Sequence, residues 1–149
     1  MRTVSGSILI FIGSGLAGPL LRWATWPSNP APQGSGFSFD NLIYDLVLFL
    51  WPTQPLAVME VTIGSFAATS LSVGANALLF GIVGALAAAI ARQRGKLLGL
   101  YLAACIVVFL LALWSAGFSV AFVNVGALAV VFLLYAVPFL AVLGLARKG

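Results

Sequence analysis

Long apolar runs alternate with polar breaks along the chain, and four of these runs have the length of a membrane span. They cover residues 4–21, 65–91, 97–114 and 125–146. A helix rises about 1.5 Å per residue, and about 20 mostly apolar residues cross the hydrocarbon core of a bilayer. The pattern therefore predicts an all-α integral membrane protein with four transmembrane helices in a single membrane domain.

Residues 22–64 interrupt this pattern, and we expect an outer aqueous loop that carries a short helix. The first part is rich in proline and glycine, which excludes regular structure there. Residues 40–51 carry a polar stripe beside an apolar face, and Pro52 ends the helix. A helix this short lies in the membrane interface or is re-entrant, dipping into the membrane and returning. Four residues are expected at the interface: Trp23, Trp26, Trp51 and Asp45, whose charge should stay solvated.

The composition removes most catalytic and cofactor chemistry. The chain has 149 residues, of which 62% are hydrophobic and 7% charged, with no histidine and one cysteine. A soluble domain carries about 25% charged residues, and a chain this small cannot hide so much apolar surface from water. The commonest general base, imidazole ligands and a disulfide pair are missing. We therefore expect no enzyme activity, no cofactor and no metal site.

The distribution of charge orients the four spans. One side holds six basic residues: Arg2, Arg92, Arg94, Lys96, Arg147 and Lys148. The other side holds Arg22 and the three acidic residues, Asp40, Asp45 and Glu60. The positive-inside rule then predicts that both termini lie in the cytoplasm. We expect the membrane to be a bacterial inner membrane. The net charge of +4 indicates this topology and contact with anionic lipid, rather than binding of nucleic acid.

Residues 13–18 match the dinucleotide-binding fingerprint G-x-G-x-x-G, and Asp40 follows at a suitable distance. The context contradicts nucleotide binding, because the motif lies within a predicted span and Pro19 follows it directly. Small residues let helix backbones approach closely in lipid. The motif therefore predicts close helix packing.

The second span carries small residues at intervals of four, here called the small-residue ladder: Ala77, Gly81, Ala85 and Ala89, with Gly74, Gly84 and Ala88 beside them. Without a hydrophobic effect between helices in lipid, association there depends on van der Waals packing. The ladder packs within this chain, or it docks another subunit, a flat lipid or a pigment. Asn76 and Asn124 are the strongest polar groups in or near the spans, and we expect them to form hydrogen bonds between helices.

The segment Leu48-Phe49-Leu50-Trp51-Pro52-Thr53, followed by residues 73–81 with Asn76, resembles a group of small bacterial membrane proteins of no known function. Members of that group combine a Leu-Trp-Pro-Ser/Thr segment with a span that contains asparagine. The resemblance covers about residues 42–91. It implies a membrane protein and no particular activity.

Three classes of function remain open from the sequence. The leading hypothesis is a non-catalytic accessory or scaffold subunit that docks on other membrane subunits through the small-residue ladder and the outer segment. The alternative is a carrier of a small molecule or lipid in a cavity between the spans. The third is an outer-face membrane enzyme that uses Asp40, Asp45 or Glu60, the chain's only carboxylates.

The distribution of basic residues gives a topology that labelling can test. We expect cysteines introduced at Gln33 and Ser35 to react with a membrane-impermeant reagent in intact cells. A cysteine at Gln93, between Arg92 and Arg94, should react only after the membrane is opened. Labelling of position 93 from outside intact cells would exclude this orientation.

Overall fold

The computed structural model describes residues 2–25, 39–59, 64–115 and 125–147, and every element in these ranges is helical. The helices are α1 (Arg2–Gly15), α2 (Ala17–Ala24), α3 (Phe39–Leu50), a short 3-10 helix (Gln54–Met59), α4 (Ser65–Ile90), α5 (Arg94–Ser115) and α6 (Val125–Arg147). Four helices are long and apolar enough to span a membrane: α1 with α2, α4, α5 and α6. The predicted all-α, four-span architecture is confirmed, and α3 is the predicted shorter helix.

The first span is interrupted near Leu16, where α1 ends and α2 begins. The Leu16 amide still donates to the Ile12 carbonyl at 3.1 Å, and the Leu20 amide donates to the Leu16 carbonyl at 3.0 Å. Pro19 has no amide hydrogen, so it cannot donate to the carbonyl of Gly15, four residues earlier. The span therefore continues through the interruption with one backbone acceptor released from the helix.

Helices α1 and α4 pack together through two reciprocal pairs of glycine and phenylalanine. A Cβ atom added to Gly15 would lie 2.9 Å from Phe80 Cβ, and one added to Gly84 would lie 2.8 Å from Phe11 Cβ. Each helix thus offers a glycine to an aromatic side chain of the other. Close backbone approach of this kind is how helices associate in lipid.

Ring contacts extend the core from this pair to the other helices. Phe11 meets Phe139 of α6 edge-on at 4.9 Å between ring centroids, and Phe80 meets Tyr135 of α6 at 5.6 Å. Tyr101 of α5 packs against Phe139 at 5.4 Å. Edge-to-face geometry is favourable for such rings. Helix α6 therefore contributes the aromatic side chains that join α1, α4 and α5.

Helix α3 inserts into the bundle rather than lying on it. Its last residues are buried: Val47, Leu48, Phe49 and Leu50, followed by Trp51. The Phe49 and Leu50 carbonyls accept hydrogen bonds from Tyr135 and Asn76, which lie near the middle of α6 and α4. The carboxyl end of α3 therefore reaches the middle of the long helices, and the chain returns through the 3-10 helix, which packs on α4. This arrangement favours the re-entrant alternative over a helix that lies on the surface of the bundle.

Two of the interface assignments are wrong. Asp45 is only 4% exposed and Trp51 only 6% exposed, although the sequence predicts both at the water interface. Asp45 is not on a solvated face, because α3 packs against α2, α5 and α6. Trp23 does stand outward, with 78% of its surface exposed. Trp26 lies outside the described residues.

The first span approaches α3 closely at Gly18 of α2. A Cβ atom there would lie 2.6 Å from the Leu50 carbonyl carbon and 2.8 Å from Trp51 Cβ. We expect Gly18→Ala to displace the end of α3 and to lower the free energy of unfolding by about 1–3 kcal/mol, because backbone atoms cannot yield as a flexible side chain does. Thermal unfolding in detergent measures the loss.

The matched control is Gly13→Ala in the same span, where an added Cβ would meet nothing within 4 Å. Its melting temperature should stay equal to or above that of the original protein, since alanine favours helix over glycine. Equal melting temperatures for the two variants would contradict the close approach of α2 to α3.

Candidate functional site

The candidate site is a group of hydrogen bonds where three segments meet in the middle of the bundle. It comprises Gly15 of the first span, Leu50 and Thr53 at the end of α3, and Ser72 and Asn76 of α4. We call it the central polar junction. Ser72 and Asn76 are fully buried. Since water does not reach these groups, each hydrogen bond must come from the chain itself.

Asn76 joins the first span to α3. Its Nδ2 donates to the Gly15 carbonyl at 2.6 Å and to the Leu50 carbonyl at 3.2 Å. The Gly15 carbonyl is the acceptor released by Pro19, so one amide group compensates the helix interruption. The expected hydrogen bond between helices is therefore confirmed for Asn76, and the structure gives its reason. Asn124 lies outside the described residues.

The end of α3 is held by a second side chain. Trp51 still donates its amide to the Val47 carbonyl at 2.8 Å, but Pro52 prevents the helix from continuing. The Phe49 carbonyl accepts a hydrogen bond from the Tyr135 hydroxyl of α6. The Phe49 ring also stacks with Phe109 of α5, with 6.4 Å between centroids. The end of α3 is thus tied to both α5 and α6.

Thr53 and Ser72 form a reciprocal pair at the return of the chain. Thr53 Oγ1 donates to the Ser72 carbonyl at 2.8 Å and lies 3.2 Å from Asn76 Oδ1, while Ser72 Oγ donates to the Thr53 carbonyl at 2.6 Å. Each hydroxyl therefore binds the other residue's backbone. The pair fixes the sharp turn that follows Pro52 against α4.

The junction binds backbone carbonyls and contains no ionisable side chain. Its amide and hydroxyl donors point to acceptors of this chain, so its chemistry is structural. Two buried polar atoms nearby have no hydrogen-bond partner among the described residues: Trp51 Nε1 and Ser7 Oγ. Ser7 lies beside Gly84 of α4, whereas Trp51 lies beside Gly18 of α2, so the two residues have different surroundings.

The small-residue ladder lies beside the buried face of α4. The buried row of that helix is Ala68, Ser72, Asn76, Phe80, Gly84 and Ala87. Ala77, Gly81 and Ala85 follow this row by one position and are half-buried, whereas Gly74 and Ala89 are exposed. A Cβ at Gly81 would lie 3.3 Å from Ile12 Cγ1 of α1, so the middle of the ladder packs within the chain.

Gly15 and Gly18 of the G-x-G-x-x-G motif are used for helix packing, as predicted. Gly15 meets Phe80 and Gly18 meets the end of α3. The motif lies in helices rather than in a turn between a strand and a helix. It therefore lacks the structural context of a dinucleotide site.

An apolar cavity of about 230 Å³ lies between α1, α4, α5 and α6. Its lining includes Val83, Ala104, Val107 and Phe139, and every lining residue except Tyr135 is apolar. A cavity of this kind takes an apolar group and excludes a charged one.

A second pocket, of about 350 Å³, lies where α4 ends, α5 begins and α6 ends. It is lined by Ala91, Arg92, Arg94, Leu143, Ala146 and Arg147, and we call it the basic pocket. All three arginines are exposed. The pocket combines three guanidinium groups with the apolar surface of α6.

The acidic residues do not form a site in the described part of the chain. Asp45 is buried in α3, while Glu60 and the side chain of Asp40 lie outside the described residues. In the ranges that the structure describes, no three histidine, cysteine, aspartate or glutamate side chains come together to hold a metal ion.

Sequence reasoning did not identify Thr53, Ser72 and Tyr135 as members of the site. The signal was present in Pro19 and Pro52, because a proline within an apolar helix releases a carbonyl that needs a donor. The identity of the donors depends on which helices lie nearby, and only the fold supplies that.

The chain matches no protein-family model, no curated protein and no solved structure. Its function therefore rests on the geometry of these sites.

We expect Asn76→Leu to destabilise the attachment of α3. The change leaves the Gly15 and Leu50 carbonyls without their donor in a buried place, which costs about 1–3 kcal/mol. Thermal unfolding should show the loss, and amide hydrogen exchange should rise in residues 42–54 more than in α5. Tyr101→Phe is the control, since it removes a 2.8 Å hydrogen bond to the Phe132 carbonyl, which joins α5 and α6. Unchanged exchange in α3 after Asn76→Leu would show that the amide is not its anchor.

Proposed function

We propose that the chain is a non-catalytic accessory or scaffold subunit of a larger membrane protein assembly. Its partners would be other membrane subunits and the lipid bilayer, in a bacterial inner membrane with both termini in the cytoplasm. The proposal is supported by an open helix face at the beginning of α4, and by an interior whose polar groups bind the chain's own backbone.

The open face lies on the first half of α4. Phe66, Ser70, Gly74 and Leu78 follow one another at intervals of four, and all four are exposed. A Cβ atom at Gly74 would meet nothing within 4 Å. Ser70 and Gly74 thus form a pair of small residues four apart that no helix of this chain covers in the described ranges. Such a pair lets a second helix approach closely in lipid.

The small-residue ladder itself is closed at Gly81, where an added Cβ would meet Ile12 of α1. We therefore place the docking surface at Gly74, which lies beside the ladder, rather than at the ladder's middle. Phe66, which is 86% exposed, and Leu78, which is 65% exposed, border this opening with larger side chains. A partner helix would meet a shallow depression over Ser70 and Gly74, with a larger apolar side chain at each end.

The interior supports a rigid scaffold. Asn76, Thr53 and Tyr135 each donate a hydrogen bond to a backbone carbonyl of this chain. Groups engaged in this way hold the open face of α4 in a fixed relation to the first span and α3.

Affinity purification in a mild detergent, followed by mass spectrometry, tests the proposal. We expect a membrane partner in stoichiometric amount with the original protein and its loss with Gly74→Leu. The isolated variant should keep its melting temperature, because the added side chain meets open space. Gly144→Leu is the matched control, since Gly144 of α6 is also exposed and has nothing within 4 Å of an added Cβ. It should retain the partner.

Two results would contradict the scaffold proposal. One is the absence of any stoichiometric partner. The other is equal recovery of the partner with Gly74→Leu and Gly144→Leu, which would mean that the open face of α4 contacts only lipid.

A further inference from the structure

The basic pocket concentrates positive charge at one end of three spans. Arg92 and Arg94 lie in and beside the connection between α4 and α5, and Arg147 is the last residue of α6. All three line one pocket of about 350 Å³. Two arginines at the connection between α4 and α5 and a third at the end of α6 thus line a common space large enough for a phosphate group and its neighbouring atoms.

This charge has no acidic counterpart nearby in the sequence. The chain has three acidic residues, Asp40, Asp45 and Glu60, and all precede α4. Asp45 is buried in α3, whose carboxyl end lies near the middle of α4 and α6. Among the described residues, no carboxylate side chain lines the basic pocket.

Two features of the basic pocket indicate which class of anion fits it: its depth along the helices and the apolar residues beside the arginines. The arginines stand at the ends of helices of membrane-spanning length, which is the depth of lipid headgroups. Leu143 and Ala146 of α6 supply an apolar wall beside them. A free anion gains nothing from an apolar wall, whereas a phospholipid places its phosphate at the charges and its chains along the hydrocarbon side.

We propose that the basic pocket is a binding site for the phosphate of an anionic phospholipid. Arginine suits this ligand because its planar fork donates two parallel hydrogen bonds to phosphate oxygens. Basic pockets between transmembrane helices are the general form of such headgroup sites. The site is separate from the open face of α4 and does not depend on the scaffold proposal.

Native mass spectrometry of the detergent-solubilised protein tests the site by titration with phosphatidylglycerol and, separately, with phosphatidylcholine. We expect the first phosphatidylglycerol to bind more tightly than phosphatidylcholine. The double change Arg92→Gln and Arg147→Gln should weaken the binding of phosphatidylglycerol roughly 25-fold, about fivefold for each arginine. The affinity for phosphatidylcholine should stay unchanged. Arg94→Gln alone should weaken the binding of phosphatidylglycerol about fivefold. This single variant replaces the double variant in the test if the double variant is unstable.

Lys96→Gln is the matched control. Lys96 is exposed and lies two residues after Arg94, but it does not line the pocket. Its substitution removes the same charge and should change the affinity for phosphatidylglycerol less than twofold. Equal binding of the two lipids by the original protein, or an equal loss with Lys96→Gln, would overturn the site. Displacement of the lipid by millimolar inorganic phosphate would overturn the lipid assignment and identify a site for free phosphate.

Discussion

Every buried backbone carbonyl needs a hydrogen-bond donor, and this requirement determines how the helices are arranged in the middle of the bundle. Within hydrocarbon an unsatisfied backbone group costs several kcal/mol, because no water replaces the missing partner. Pro19 releases the Gly15 carbonyl in the middle of the first span, and the end of α3 presents further carbonyls at the same depth. Asn76 meets two of these acceptors with one amide group, at 2.6 and 3.2 Å. The first span, α3 and α4 are therefore arranged so that their carbonyls converge on this side chain.

Close packing makes this convergence possible. Gly18 allows the backbone of α3 to approach α2, and the pairs Gly15–Phe80 and Gly84–Phe11 bring α1 against α4. With larger residues at these glycines, the carbonyls would stand too far from the asparagine. The glycines and Asn76 thus depend on each other. The glycines let the helices approach, and the amide group of Asn76 then donates to the carbonyls that this approach brings together.

Four apolar runs predicted the spans from length alone, and the helices begin and end within a few residues of the expected positions. The burial of Asp45 and Trp51 could not be obtained in the same way. A stripe with Asn41, Tyr44 and Asp45 has the same period whether it faces water or neighbouring helices, so the pattern predicts a helix without its surroundings. The small-residue ladder lies one position after the buried row of α4, and the sequence missed that row for a related reason. Phe80 is large but occupies a space opened by Gly15 on the facing helix, and residue size on one helix does not reveal that space.

The dependence on outside donors also sets the order in which the parts can form. The long helices satisfy most of their own backbone groups and can exist as separate units in a bilayer. Helix α3 differs, because the Phe49 and Leu50 carbonyls depend on Tyr135 and Asn76 of two other helices. Its carboxyl end is therefore stable at the middle of the bundle only after α4 and α6 have come together around it. Asn76 also binds the Gly15 carbonyl, so the same amide group links the attachment of α3 to the interruption of the first span at Pro19. The position of α3 therefore depends on how the other helices pack together.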